Sequence, residues 1–393
     1  MTQSRRILYV IGSLDIGGAE RHLVQVATGL RQAGYAPEFF VLNPGGPLTA
    51  PLQTAGIPIH GFHPWGWLRK VLRHPRALAW TVLGLSALKM WSVLWRRRPD
   101  VVHFFLPAAY VVGGVVSLFS PVPARIMSRR SLNHYQAKHR LFARVERFLH
   151  HRMTLVCGNS LAINRQLEEE GVPTDRLRLI YNGVACAVAD SSAVPAAGKP
   201  GLLFVMVANL IPYKGHVDLL DAFASVRHDL PPNWELWCVG RDDGIQASLR
   251  ERAEHLEIAG HVKFLGSRTD VPALLQQADV GVLSSHEEGF SNAVLEGMAA
   301  GLPMVVTDVG GNAEAVVDGE TGYVVPARDP ARLGQALLAV ARDEERARMG
   351  ARGRQRAEDV FTVNACLRQY EHLYHQATRV PQPGIFFRRK ENT

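Results

Sequence analysis

Residues 284–316, SSHEEGFSNAVLEGMAAGLPMVVTDVGGNAEAV, decide how this chain is read. Glu288 and Glu296 stand eight residues apart. Short apolar runs flank the pair, at 280–283 and 304–307, so strand, loop, helix and strand follow one another. Gly-Phe-Ser-Asn follows Glu288, which puts that carboxylate in the loop before the helix. Small residues (Gly297, Ala299, Ala300, Gly301) surround Glu296, more than a turn inside it. Between the two acids lies the helix N-terminus, whose free N–H groups and macrodipole make an anion site. An acid, an anion cradle and a second acid suit a ligand carrying a sugar, a diphosphate and a ribose.

The same rhythm extends outward. Buried strands read as apolar runs at 7–11, 39–42, 101–105 and 155–157, with helical stretches such as 19–33 and 141–150 between them. Alternation of this kind builds parallel sheets with helices on both faces. A second set of strands begins at 202–207 and continues at 236–239, 262–264, 280–283 and 304–307. Between the sets, residues 190–200 are small and proline-containing, as in a linker. The expectation is an α/β chain of two doubly wound, Rossmann-like domains. Such sheets bind ligands at the carboxyl ends of their strands.

A chain of 393 residues, 47% hydrophobic and 20% charged, is long enough and apolar enough for two soluble cores. Cys157, Cys186, Cys238 and Cys366 lack paired spacing, which points to free thiols rather than a metal site or disulfide frame. Charge is unevenly divided. Residues 1–190 hold 23 Lys and Arg against 10 Asp and Glu, whereas the remainder holds 21 against 26. A basic half suggests anionic partners. Nucleic acid is excluded, because aromatic residues are not interleaved with the basic ones as a stacking platform requires. Membrane or phosphate is left.

The apolar run 7–11 is too short for a signal peptide and reads as a first strand. Residues 77–95, ALAWTVLGLSALKMWSVLW, are about long enough to span a bilayer. Lys89 interrupts them, and a central lysine is costly in lipid, so a surface helix is expected. A helix lying on the membrane is the further alternative. Trp65, Trp67, Trp80, Trp91 and Trp95 cluster among Arg69, Lys70, Arg73, Arg76 and Arg96–Arg98, a composition that suits anionic lipid. Core tryptophans beside a solvated basic face give the same sequence.

With these residues in view, the chain resembles the retaining nucleotide-sugar glycosyltransferases of family 4 (group 1), whose signature is E-x7-E and whose fold is GT-B. Further matches fall in order along nearly the whole chain: GGAERHL (17–23), RPDVVHFF (98–105), IYNGV (180–184), VANLIPYKGH (207–216), VKFLGSRTDV (262–271) and DGETGYVVP (318–326). Each is weak alone; their order is the signal. The resemblance implies GT-B architecture, with two Rossmann-like domains facing across a cleft. It implies an acceptor-binding domain over 1–190, a linker over 191–200 and a donor-binding domain over 201–362. A C-terminal helix over 363–380 crosses back to the first domain, and a tail occupies 381–393.

The resemblance also assigns roles. Glu288 binds a sugar hydroxyl and helps orient the reacting centre, with Glu287 as a register competitor. The amides of Gly289, Phe290 and Ser291, with Asn292, cradle the diphosphate. Glu296 accepts hydrogen bonds from the ribose diol, and Lys214 neutralises the leaving diphosphate. The family usually has an arginine five or six residues before that lysine; here Asn209 stands there, and either Asn209 or Arg268 takes over. Gly17 and Gly18 open the first helix, where a glycine permits close backbone approach to a ligand. Where the family often carries a histidine, this chain reads SRRSLNHYQ, leaving Arg129, Arg130 and His134 as candidates for the acceptor or leaving-group side.

No Asp-x-Asp pair occurs in the chain, so metal-independent transfer is expected. No cofactor is expected, because the nucleotide-sugar is a substrate. GxGxxG is absent, which counts against a nicotinamide-binding dehydrogenase. The motif order disfavours an epimerase. A non-catalytic nucleotide-sugar-binding partner in a biosynthetic complex is the alternative. The expected donor is a UDP-sugar in preference to a GDP-sugar. The expected acceptor is a glycan, lipid-linked or phosphorylated molecule of surface polysaccharide or glycolipid synthesis. The expected location is cytoplasmic, with possible peripheral contact at the inner face of the membrane.

Overall fold

The computed structural model describes residues 4–64, 74–133, 136, 139–186, 201–342, 344 and 346–379. Trp65, Trp67, Arg69, Lys70, Arg73, His134, the linker 191–200 and the tail 381–393 lie outside these residues. The chain divides into two compact units. The first comprises Met1–Asn159, Ile163–Tyr181 and Cys366–Thr393; the second comprises Ser160–Ala162 and Asn182–Ala365.

In the first unit seven parallel strands form one sheet in the order β3-β2-β1-β4-β5-β6-β7. They are β1 (Arg6–Ile11), β2 (Ala36–Val41), β3 (Ile59–Gly61), β4 (Val101–Phe105), β5 (Ala124–Arg129), β6 (Leu155–Gly158) and β7 (Leu177–Leu179). Alternation sends neighbouring residues to opposite faces. Ile7, Tyr9 and Ile11 enter one core, and Leu8 and Val10 enter the other. Both faces are buried, so the strands read as unbroken apolar runs rather than as alternating ones.

Helix Val363–Ala377 belongs to the first core: Cys366, Tyr370, Leu373, Tyr374 and Ala377 pack with Tyr9, Leu23 and Phe39. Its tyrosines enter a buried polar network. The Tyr374 hydroxyl lies 3.0 Å from that of Tyr9 and 2.9 Å from His103 Nδ1, while His103 Nε2 is 2.8 Å from the Ser128 hydroxyl. Tyr370 meets His22 Nε2 at 3.3 Å and accepts from Arg130 at 3.2 Å.

Helix Pro75–Arg97 is long and apolar enough to cross a membrane by length and composition. Its second half nevertheless belongs to the other core, through Met90, Val93 and Leu94. It starts with proline at its first position and stops where Arg98 adopts a left-handed conformation, φ 46°, just before Pro99. Trp80 is 72% exposed, whereas the indoles of Trp91 and Trp95 donate to the Phe119 carbonyl at 2.9 and 3.1 Å.

The second unit has six parallel strands in the order β10-β9-β8-β11-β12-β13. They are β8 (Leu203–Val207), β9 (Glu235–Val239), β10 (Val262–Gly266), β11 (Val280–Leu283), β12 (Met304–Thr307) and β13 (Gly322–Val325). The chain runs outward from β8 through β9 to β10, then returns to the other side of β8 with β11. The crevice between the ends of β8 and β11 is therefore the topological switch point, where doubly wound sheets bind ligands.

Candidate donor site of the second unit

Two loops meet at that switch point. After β8 the chain passes Asn209 and a single 3-10 turn, Pro212–Lys214. After β11 it runs from Ser284 to Ser291 and enters helix Asn292–Ala299. Gly215 lets the loops touch. Its φ is +70°, and a Cβ there would sit 2.0 Å from the Ser284 carbonyl oxygen, so only glycine fits. The Ser284 hydroxyl donates to Gly215 O at 3.0 Å, and the His286 amide donates to Tyr213 O at 2.7 Å. His286 Nε2 meets Asp218 at 2.7 Å on the adjoining helix His216–Val226.

This clamp brings a cation and a carboxylate together. Lys214 Nζ donates to Glu288 Oε1 at 2.6 Å, and the Ser285 hydroxyl donates to the same oxygen at 2.7 Å. The two side chains are 18% and 10% exposed. Screening is weak in such a half-dry position, and a charge-assisted bond of this length fixes both groups. Ser285 is held in turn, since Thr307 at the end of β12 donates to its carbonyl at 2.5 Å.

A third loop closes on the backbone of the second. Gly311 N donates to Gly289 O at 2.8 Å, and a Cβ on Gly310 would lie 2.1 Å from Glu288 O. Gly310 is at φ +55°. Phe290 is buried and tilts against Phe361 at 5.4 Å, and Asn182 donates to Phe290 O at 3.0 Å and to Asn292 Oδ1 at 2.6 Å. Ser291 is the extended N-cap residue of helix Asn292–Ala299, and its side chain makes no cap hydrogen bond. Glu296 is half-buried, in the second turn. The small residues around it have their own cause. A Cβ on Gly297 or on Gly281 would lie 2.5 or 2.4 Å from Met304 Sδ, so this thioether fills the space between helix and strand.

Of the remaining candidates, Asn209 shares the loop after β8 and the others lie elsewhere. Asn209 follows β8, and its Oδ1 accepts from the Arg241 amide at 3.2 Å. Arg268 follows the edge strand β10 and grips Asp270 with two bonds of 2.8 and 2.6 Å at the surface. Gly17 and Gly18 follow β1 in the first unit, with Gly17 the extended N-cap of helix Gly18–Gln32. Arg129, a candidate for the acceptor or leaving-group side, ends β5 in the first unit. Its side chain is 2% exposed and paired with Glu170 and Glu146, which gives it a structural post. Arg130 is likewise buried, donates to Tyr370 and lies over the Phe105 ring at 5.8 Å.

Ser285, Thr307, Asn182 and the Gly310–Gly311 turn escaped the sequence reading. Asn182 lies within the IYNGV match, and Ser285, Thr307 and the glycine pair lie inside the stretch that decides the fold, but the pattern assigns none of them a role. Leu106, at the end of β4, escaped too: its φ of 70° is rare for a leucine and marks a strained turn beside the β1–β4 switch point.

Known proteins are similar to this chain in sequence and in fold. Residues 16–188 match the family model Glycosyltransferase Family 4, and residues 189–356 match Glycosyl transferases group 1. The glycogen synthase of Mycobacterium tuberculosis is 30% identical over 397 residues, covering 94% of each chain. The N-acetyl-alpha-D-glucosaminyl L-malate synthase of Bacillus anthracis is 30% identical over 184 residues, so the match spans 47% of that protein and 46% of this one. Among solved structures, Anabaena HepE in complex with UDP aligns with a TM-score of 0.77 at 22% identity, over 94% of this chain and 99% of that one. Two doubly wound units, a carboxylate–lysine pair at the switch point and full-length relatives agree: the chain belongs to the family 4, group 1 glycosyltransferases of the GT-B fold.

Proposed function

We propose that this glycosyltransferase uses a UDP-sugar and retains the anomeric configuration, passing the sugar to a glycan or lipid-linked acceptor without a metal ion. The observation that carries this reading is the Lys214–Glu288–Ser285 cluster beside the N-terminus of helix Asn292–Ala299. The amides of Gly289–Ser291 with Lys214 suit a diphosphate, and Glu296 suits a ribose diol. Preference for UDP rests on HepE, which was solved with UDP.

In a front-face reaction the bond from C1 to the diphosphate oxygen breaks while the acceptor oxygen bonds C1 from the same side. The acceptor proton passes to the leaving phosphate oxygen. Lys214 and the helix amides stabilise the charge growing on that phosphate, and Glu288 holds the sugar hydroxyls. Lys214 thus serves twice, since without donor it also holds Glu288 in place.

A lipid-linked acceptor is compatible with an open cavity of about 600 Å³ in the first unit, whose mostly apolar lining also includes Asn43 and His63. Leu42, Pro44, Phe62, Leu78, Val82 and Leu83 wall it, and such a lining suits a hydrocarbon chain. The expected seat is the cytoplasmic face of a membrane.

The test follows purified protein with UDP-sugars and GDP-sugars by proton NMR. The expected outcome is release of UDP and a product whose anomeric coupling matches that of the donor. Nucleotide binding without donor turnover in the presence of glycan and lipid acceptors would instead support a non-catalytic partner.

A further inference from the structure

Helix Arg140–His150 carries large apolar side chains on its outward side as well as on its inward one. Soluble helices turn their apolar stripe to the core. Here Ala143, Glu146, Leu149 and His150 face inward, while Leu141 is 73% exposed, Phe148 49% and Phe142 38%. The inward side is fixed by polar contacts. Gln136 donates to Glu146 at 2.7 Å, Arg129 donates to it at 3.4 Å, and His150 bridges Glu170 at 3.1 Å and Tyr110 at 3.1 Å. Leu149 packs so closely on helix Pro107–Leu118 that a Cβ on Gly114 would lie 2.7 Å from it. Rotating the helix to hide its phenylalanines would break all of these contacts.

The outward side is basic as well as apolar. Arg140, Arg144 and Arg147 are exposed, and the Arg152 guanidinium lies 3.5 Å from the centre of the Phe148 ring. Helix Pro107–Leu118 packs beside this helix, and helix Pro75–Arg97 packs beside that one. They add exposed Val115, Trp80, Leu88 and Trp91, with Phe119 just beyond the second helix. Lys89, Arg96 and Arg97 are exposed on the third. Across residues 74–98, 107–119 and 139–152 the sole carboxylate is Glu146, and it is turned inward.

We propose that this three-helix layer of the first unit is a docking surface for an anionic lipid bilayer. Leucine, phenylalanine and tryptophan enter the boundary between headgroups and acyl chains, and the arginines meet lipid phosphates. A second copy of the chain fits worse. A two-fold interface would set these arginines against their own equivalents, with no exposed carboxylate on the layer to pair them. The inference deepens the membrane seat proposed above. It is tested without donor or acceptor, so a failed transfer reaction leaves it standing and a failed docking surface leaves the chemistry standing.

The experiment floats the full-length protein with vesicles of phosphatidylcholine, alone or mixed with phosphatidylglycerol. The parent is expected to float with the anionic vesicles only, and less as salt rises. Phe142→Ser with Phe148→Ser, and separately Arg144→Glu with Arg147→Glu, each should weaken flotation about tenfold or more. Melting temperatures should stay near that of the parent, because the altered side chains are exposed. Trp80→Ser on another helix of the layer gives an independent variant should either pair fold poorly. Absence of parent flotation, or flotation unchanged in all three variants, overturns the proposal. So does a result in which the phenylalanine pair turns a dimer into a monomer by sedimentation yet leaves flotation intact.

Discussion

At the residue scale, one carboxylate oxygen organises the site. Glu288 Oε1 receives both Lys214 Nζ and the Ser285 hydroxyl, whereas the spacing in the sequence placed only the two acids and the helix between them. Lys214 stands 74 residues from Glu288, and only the order of strands makes them neighbours. Glu288→Gln keeps the shape but removes the charge that Lys214 engages and that the proposed mechanism sets at the sugar hydroxyls. Turnover should fall by two or more orders of magnitude while UDP affinity stays within about threefold. Steady-state rates beside a UDP titration check this, and undiminished turnover would move the role to Glu287. Glu296→Ala removes the acceptor that the proposed function assigns to the ribose. It should weaken UDP binding by about 1.5–3 kcal/mol, since bonds to a charged acceptor contribute that much. Equal affinity in calorimetry would take Glu296 out of the nucleotide site.

At the element scale, long buried strands were plain from their apolar runs, and β4, β11 and β12 begin and end where those runs do. The three-residue edge strands β3 and β7 were not, because so short a pairing leaves no run to detect. Nor did periodicity reveal which side of helix Arg140–His150 faces inward, because a buried ion network overrides the apolar stripe there. The C-terminal helix was anticipated, but the tyrosines that fasten it were not. Tyr374→Phe leaves Tyr9 and His103 short of a partner inside the core, and should cost about 1–3 kcal/mol of stability. Acid should loosen the same clasp. Burial, reinforced by the Arg130 charge, holds His22 and His103 well below the ordinary histidine pKa of 6.5. The unfolded chain therefore binds protons first. This stability is complete above about pH 6.5 and is lost as pH falls below it, ahead of the carboxylates. A melting temperature that stayed level from about pH 7.5 to 5.5 would contradict this account.

At the scale of the whole molecule, the uneven charge of the sequence takes on a location. Part of the basic excess in residues 1–190 is internal: Arg125, Arg129 and Arg130 are buried. Arg125 supports the C-terminal end of helix Pro107–Leu118 by donating to the Ser117 carbonyl at 2.8 Å, where the helix dipole welcomes a cation. Burial lowers its pKa to about 10, which still leaves it charged at neutral pH. In the second unit Lys214 pairs with Glu288 at the β8–β11 switch point. A diphosphate leaving from C1 needs about two charges neutralised, and on the metal-free reading proposed above that neutralisation comes from the chain itself. Lys214 and the amides at the start of helix Asn292–Ala299 are placed to supply it, with no reorganisation at the moment of bond breaking. Transfer should therefore keep its rate in millimolar EDTA and gain nothing from added Mg²⁺ or Mn²⁺, while Lys214→Met should slow it by about two orders of magnitude or more. The decisive comparison measures parent and variant with and without chelator. Loss of parent activity in EDTA, restored by a divalent ion, would show that the protein borrows its positive charge, and Lys214 would then be left the task of holding Glu288.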